Sequence, residues 1–511
     1  MTKGKKWCVR FFPAALLLSL VGWPLEPAFG QRTGGDQGQQ DEDRRPACEG
    51  YGGGVEVEEP HIPPGIDVFN LNLEQTRHFS RSKHFEVVGH SYFRGDWLTP
   101  SAQKDGLGAG LQTPRVHNGI AYLGGYPPTL FGVLVADVRN PRHMEVLSFI
   151  PCNPGTRCNY LRVNHQRRIL IGTQDTSSAN PHQPPEGEPV QAGVTFHDVS
   201  DPSNPQLLSF FLTLENGGTH GFEIDDQFVY TCATTPLSKP GSTHELVIID
   251  YSDSQHPTLA SALHIQGQHI GEEYAPQDQL NPNGTPQHVM CHEINLHRNR
   301  LYIAWRDAGM VIVDVSDPYN PSMISRLDYV PPYNGGSSPG GAAHTSAPVI
   351  VNVNRHPTLV VHTDEIFDCP PGFGRIIDIS DLSYPQVIAS YRLPFLADNF
   401  DFDTGQFVCR PGQQSIHQPW FDFRSPSLFY QAWYDQGVRA WDISNPFLPR
   451  EVGYYLSPRY QPPGVVGRQT RETFQDPRTG LIYMTDGNGG GLTVLRWTGR
   501  IPARPPIPGA R

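Results

Sequence analysis

The sequence predicts an all-β protein closed into a ring, a seven-bladed β-propeller of four-stranded blades, and three observations carry that prediction. Gly and Pro number 51 and 50 of 511 residues, a density that helix interiors do not tolerate. Hydrophobic residues reach 37% and aromatic residues 10%, which supplies a packed core and excludes a wholly disordered chain. The third observation is an internal repeat. An apolar strand, then Asp, an apolar or aromatic residue, small polar residues and Pro recurs with its first aspartate at Asp137, Asp198, Asp250, Asp314, Asp378 and Asp442. The intervals between these aspartates are 61, 52, 64, 64 and 64 residues.

Taken in chain order, the first element is a targeting segment. Lys3, Lys5, Lys6 and Arg10 precede an apolar run over 11–21, and Ala28 and Gly30 place small residues before a cleavage point. This reads as a signal peptide, 1–30, cleaved after Gly30. The run falls short of the ~20 residues of a spanning helix, so the mature chain is expected to be secreted or periplasmic and not transmembrane. The net charge is −12, and losing the cationic leader makes it more negative, which argues against a nucleic-acid partner. Residues 31–80 read as a polar, Gly-rich linker and lead-in, 81–499 as the propeller and 500–511 as a Pro-rich tail. Beyond the leader lie Cys48, Cys152, Cys158, Cys232, Cys291, Cys369 and Cys409. In an oxidising compartment Cys152 and Cys158 are expected to clip one loop, and Cys369 with Cys409 is a second candidate pair. An odd number leaves one thiol over, and without any Cys-x-x-Cys a cysteine zinc site is not expected.

Each repeated phrase is followed by another apolar strand, as in MEVLSFI and REVGYYL, and preceded by a hairpin, as in HEINLHRNRLYIAW from His292 and HGFEIDDQFVYTCA from His220. Turn residues stand at the joints. Four strands per unit is the propeller pattern, whose usual repeat is ~40–45 residues, so the extra length belongs to loops. The ends supply the seventh blade: residues 471–485 and GGGLTVLRW give three strands, and FEVVGHSYF from Phe85 gives the missing outer one. That arrangement leaves no open sheet edge. With its relatives, the phrase MVIVDVSDPYNP resembles the LVIVD-repeat family of bacterial exported and surface β-propellers. The resemblance spans about residues 85–497; it implies the fold and an exported location, and little about chemistry.

Aligning the blades places His220, His292, His344 and His417 at one position, the start of the innermost strand, in four consecutive blades; the other three offer Gln112, Tyr160 and Glu472. Converging imidazoles are unfavourable when protonated and favourable when neutral lone pairs face a metal cation. The set therefore predicts a transition metal ion, Fe, Cu, Mn or Zn, with a structural role for the imidazoles as the competing reading. At fold level it is similar to the four-histidine iron of carotenoid-cleaving propellers and the His-rich manganese of propeller oligogalacturonate lyases, with the sequence motifs of neither. The ends of the second strands bring Asp175, Asp307, Asp435 and Asp486 to the same face, where Asp before Gly is ordinary turn chemistry, and His362, Asp364 and Glu365, which depart from that pattern. Glu472, Glu365 and Asp364 are the candidate catalytic acids and bases. Long inserts over 266–287, 329–343, 395–415 and 457–470 open on this face and carry aromatics, acids and arginines, the make-up of a funnel for a small-molecule or glycan ligand. His117, His165 and His297 are expected to be solvated on the opposite face. The expected function is a metal-dependent oxidoreductase, or a lyase, acting on a small organic substrate. The alternative is a non-catalytic secreted or cell-surface propeller that binds protein or carbohydrate.

Overall fold

In the computed structural model of the protein, the repeated apolar phrase is the third strand of each of the first six blades and is buried on both faces. The strand Met310–Asp314 shows why its sequence runs apolar without alternation. Val311 and Val313 pack with Ile248, Ile303 and Trp305 on one side, while Met310 and Ile312 pack with Val360 and Ile377 of the next blade on the other. A strand enclosed by sheets on both faces has no solvent side to make polar. Each such side chain contributes roughly 1.5–3 kcal/mol by leaving water.

The aspartate ending the phrase makes the turn. Asp314 Oδ1 accepts the Ser316 backbone N–H at 2.7 Å, Asp198 that of Ser200 at 2.8 Å and Asp442 that of Ser444 at 2.7 Å. This is the Asx turn that a short carboxylate favours. A register shift also recurs between third and fourth strands, as at Ile312/Val313 and Ile376/Ile377, a bulge that increases the twist each blade needs.

The structure describes residues 57–58, 62–63, 65–240, 244–280, 286–328, 343–367, 371–393, 399–401, 406–408, 415–458 and 467–504. The signal peptide, the linker through residue 54, Cys48, Cys369, Cys409, most of the inserts over 329–343 and 395–415, part of those over 266–287 and 457–470, and the tail from 505 lie outside the described residues. Seven antiparallel blades form one unit, 50–511. From the inside outward, the third has the order Thr219–Ile224, Phe228–Ala233, Glu245–Asp250, Thr258–Leu263. The seventh is completed as the sequence predicts: Phe85–Ser91 pairs antiparallel with Gly491–Trp497, Phe85 opposite Trp497. A second N-terminal strand, Arg81–Lys83, adds a fifth strand to the sixth blade by pairing with Arg450–Leu456. Before it, the lead-in forms a short helix, Leu73–His78, whose capping box pairs Asn72 with Gln75 in both directions. Among the described residues no helix is long and apolar enough to cross a membrane.

Two disulfides are present. Cys152–Cys158 closes the loop as expected, and Cys232–Cys291 ties the second strand of the third blade to the chain entering the fourth. Disulfides of this kind fit an oxidising, extracellular environment.

Candidate metal centre

The innermost strands begin with backbone irregularities, and these aim side chains at the axis. Register shifts fall at Leu111/Pro114, Thr219/Phe222, Ala343/Thr345 and Thr470/Thr473. A bulge turns an extra residue out of the ladder, and these carry Gln112, His220, His344 and Arg471. His292 and His417 are set by their backbone N–H groups donating to Ala304 O at 2.9 Å and Ala432 O at 3.0 Å. Close approach is enforced at Gly221, whose N–H donates to His292 O and where a Cβ would lie 2.3 Å from that oxygen.

The four histidines follow one another around the axis. Ring centroids are 4.5 Å apart from His220 to His292, 4.5 Å from His292 to His344 and 4.2 Å from His344 to His417. They line a cavity of ≈ 250 Å³ together with Gln112, Tyr160, Arg157, Arg306, Glu365 and Arg471. Burial, above all, pushes all four imidazoles below the usual histidine range, His292 and His344 furthest. Burial thus favours the neutral form, which presents a lone pair.

Which nitrogen carries the proton follows from the partners. His220 Nδ1 lies 3.3 Å from Asp175 Oδ2, and His292 Nδ1 lies 3.4 Å from the backbone oxygen of His344. A carboxylate and a carbonyl only accept, so each Nδ1 bears the hydrogen and each Nε2 a lone pair. The two Nε2 atoms are 3.1 Å apart. Two such lone pairs repel unless a cation lies between them, and ligands on one ion at ~2.1 Å stand ~3.0–3.4 Å from each other. Asp175 is itself held by Arg157 through bonds of 3.0 and 2.7 Å, the carboxylate–histidine arrangement that orients a metal-ligating ring.

On the other side, His344, Glu365 and His417 have donor atoms within 4.8 Å of one another, as do His292, Glu293 and His344; among the described residues no such group unites all four histidines. Burial acts to raise the Glu365 carboxyl, but Arg306, His417 and Tyr434 outweigh it and hold it below the usual carboxylate range. Arg306 Nη1 donates to Glu365 Oε2 at 3.1 Å, the Tyr434 hydroxyl donates to Oε1, and Arg471 Nη1 donates to that hydroxyl at 2.7 Å. The Arg471 guanidinium lies 3.6 Å over the Tyr126 ring.

Glu472 is not the seventh member of the ring. Phe474 pairs with Tyr483 as Asn295 pairs with Tyr302 and Glu223 with Tyr230. Three residues back from each stand Arg471, His292 and His220. Glu472 sits one residue deeper, bonded to Arg115 at 2.7 Å. A count along the chain through a turn of different length moved the assignment by one. Asp364 does not line the cavity: it pairs with Arg375, and His362, 3.6 Å away, shares a 2.9 Å hydrogen bond with Ser346 Oγ. Asp307, Asp435 and Asp486 accept backbone N–H groups of His288, Arg468 and Gln469 at 2.7, 3.1 and 2.9 Å, so they tie entering segments to the strand ends. His117 stacks on His165 at 3.8 Å. His297 is buried and bonded to Arg355 O at 2.9 Å rather than solvated.

Sequence reasoning missed several contributors, Arg306 beside Glu365 among them. Arg157 belongs to a two-residue strand outside the repeat pattern, Thr156–Arg157. Tyr434 follows the second strand of the sixth blade, where apolar residues gave no signal. His244, buried, has its ring 6.0 Å from His220, at the entry to a third strand rather than a first.

Comparison with known proteins bears out the repeat. The LVIVD repeat model matches residues 291–328 and 375–392, so the chain carries LVIVD repeats. No curated protein matches it. Among solved structures, a chain of the Mitotic Checkpoint Complex is 11% identical, with 87% of this chain and 97% of that one covered and a TM-score of 0.44. The computationally designed Ika8 protein is also 11% identical, with 76% and 96% covered and a TM-score of 0.40. Raptor from Chaetomium thermophilum is 11% identical, with 78% of this chain and 29% of that one covered and a TM-score of 0.46.

Proposed function

We propose that the protein is an exported β-propeller that holds a transition metal in its axial histidine cluster and carries out a metal-dependent reaction, oxidation–reduction before lyase chemistry, on a small anionic substrate. The observation that carries this reading is the 3.1 Å approach of the His220 and His292 Nε2 atoms, with an acceptor oxygen beside each Nδ1. His292 and His344 would be the central ligands, flanked by His220 and His417, with Glu365 as the carboxylate. A nitrogen-rich set of this kind suits Fe, Cu, Mn or Zn. Bound there, the ion would supply Lewis acidity or electron transfer. Around it, Arg157 and Arg471 would orient an anionic group by charge-assisted hydrogen bonds, and Tyr434 would pass a proton between Glu365 and the cavity. The disulfides support the exported setting.

The test is elemental analysis of untagged protein. Wild type is expected to hold close to one equivalent of transition metal at this site, and the variant with His292→Ala and His344→Ala to lose that equivalent while keeping its circular dichroism spectrum. A double variant with wild-type metal content overturns the reading and leaves a non-catalytic binding propeller.

A further inference from the structure

Strand alternation sends consecutive residues to opposite faces. At the entry to the third strand of the third blade, His244 turns toward the axial cluster. Glu245, the next residue, turns to a loop outside that cavity. There His264, His269 and Glu272 follow one another within nine residues, along a bend that Gly267 permits at φ +103, where a Cβ would lie 2.3 Å from the Tyr274 ring. The donor atoms of Glu245, His264 and His269 lie within 4.8 Å of one another.

Both carboxylates are oriented in advance. Glu245 Oε1 accepts from Thr235 Oγ1 at 2.6 Å and Ser238 Oγ at 3.3 Å, leaving Oε2 2.9 Å from His269 Nε2. Glu272 Oε2 accepts the backbone N–H of Gly267 at 2.8 Å and of His269 at 3.4 Å, leaving Oε1 3.1 Å from His264 Nε2. The two imidazoles stack with centroids 3.6 Å apart, a contact that disfavours two adjacent imidazolium ions. Each Nε2 faces a carboxylate oxygen that accepts its hydrogen in the metal-free protein; a divalent cation would displace those two hydrogens and take both nitrogens together with the carboxylates. Tetrahedral ligands on a single ion at ~2.1 Å stand ~3.4 Å apart, so Glu245, His264 and His269 close by up to ~1.4 Å and Glu272 swings in to join them.

We propose that Glu245, His264 and His269, with Glu272 closing the fourth side, form a second site for a zinc-class divalent metal, separate from the axial cluster. Four protein ligands and no open position make it a structural site, one that staples the loop after the outer strand to the third blade. The staple draws its ligands from Glu245, at the head of a strand, and from the segment that leads on to His292.

Zn²⁺ titration of metal-free protein tests this. In the His292→Ala, His344→Ala background, one equivalent of Zn²⁺ is expected to bind and to raise Tm. Adding His264→Ala and His269→Ala is expected to weaken that binding at least 100-fold, and Glu245→Gln, which preserves shape, at least tenfold. A background protein that binds no Zn²⁺, or one whose Zn²⁺ affinity is unchanged by Glu245→Gln, overturns the site. Neither outcome depends on whether the axial cluster binds metal, because that cluster is disabled throughout.

Discussion

Glu472 and Arg115 face each other at 2.7 Å with both side chains almost wholly removed from water. In such a place the cost of deleting one partner is the charge left behind. Glu472→Ala is therefore expected to destabilise the protein by about 3–5 kcal/mol, read as a fall in urea midpoint, with axial metal content unchanged. Arg471→Gln, one residue away, is expected to leave metal content unchanged too while weakening binding of anions to the cavity. A count along the chain reaches Glu472 rather than Arg471 because the turn between Phe474 and Tyr483 is longer than that between Glu223 and Tyr230. His220 and His292 were legible because each stands ten residues before the tyrosine of its hairpin. Glu365 stood out from the sequence as a departure from the Asp-Gly turns, but its partners Arg306 and Tyr434 come from two other blades and could be seen only in three dimensions.

The third strands show where a repeat tolerates a foreign residue. In GVTFHD, His197 occupies a place that is apolar in most blades, and burial pushes its imidazole down to about 4. The folded protein keeps it neutral, whereas the unfolded chain takes up a proton below ~6.5. Its contribution is thus fully present above ~6.5 and is lost as pH falls from there toward about 4. His197→Val is expected to raise the unfolding free energy from urea denaturation more at pH 5 than at pH 7.5, by at most ~2 kcal/mol of difference; an equal shift at both pH values would sink the account. Strand identity and turn position were readable, because each depends on residues a few places apart. The Cys232–Cys291 bridge was not, since it joins positions that only the docking of two blades brings together.

For the whole molecule, the number of blades and the closure by Phe85–Ser91 followed from the intervals and from an outer strand left over at one end. The additional pairing of Arg81–Lys83 with the sixth blade did not, being too short to register as a strand. Together these two strands latch the N-terminal side onto the last two blades. Removing residues 81–91 is expected to expose two sheet edges, giving faster proteolysis within 415–497 and concentration-dependent association on size exclusion. The latch also sets an order of events during synthesis. Phe85–Ser91 leaves the ribosome about four hundred residues ahead of Gly491–Trp497, its partner. The strand that seals the ring is thus made before every other strand of the seventh blade, and its seat there exists only once the last strand has been added.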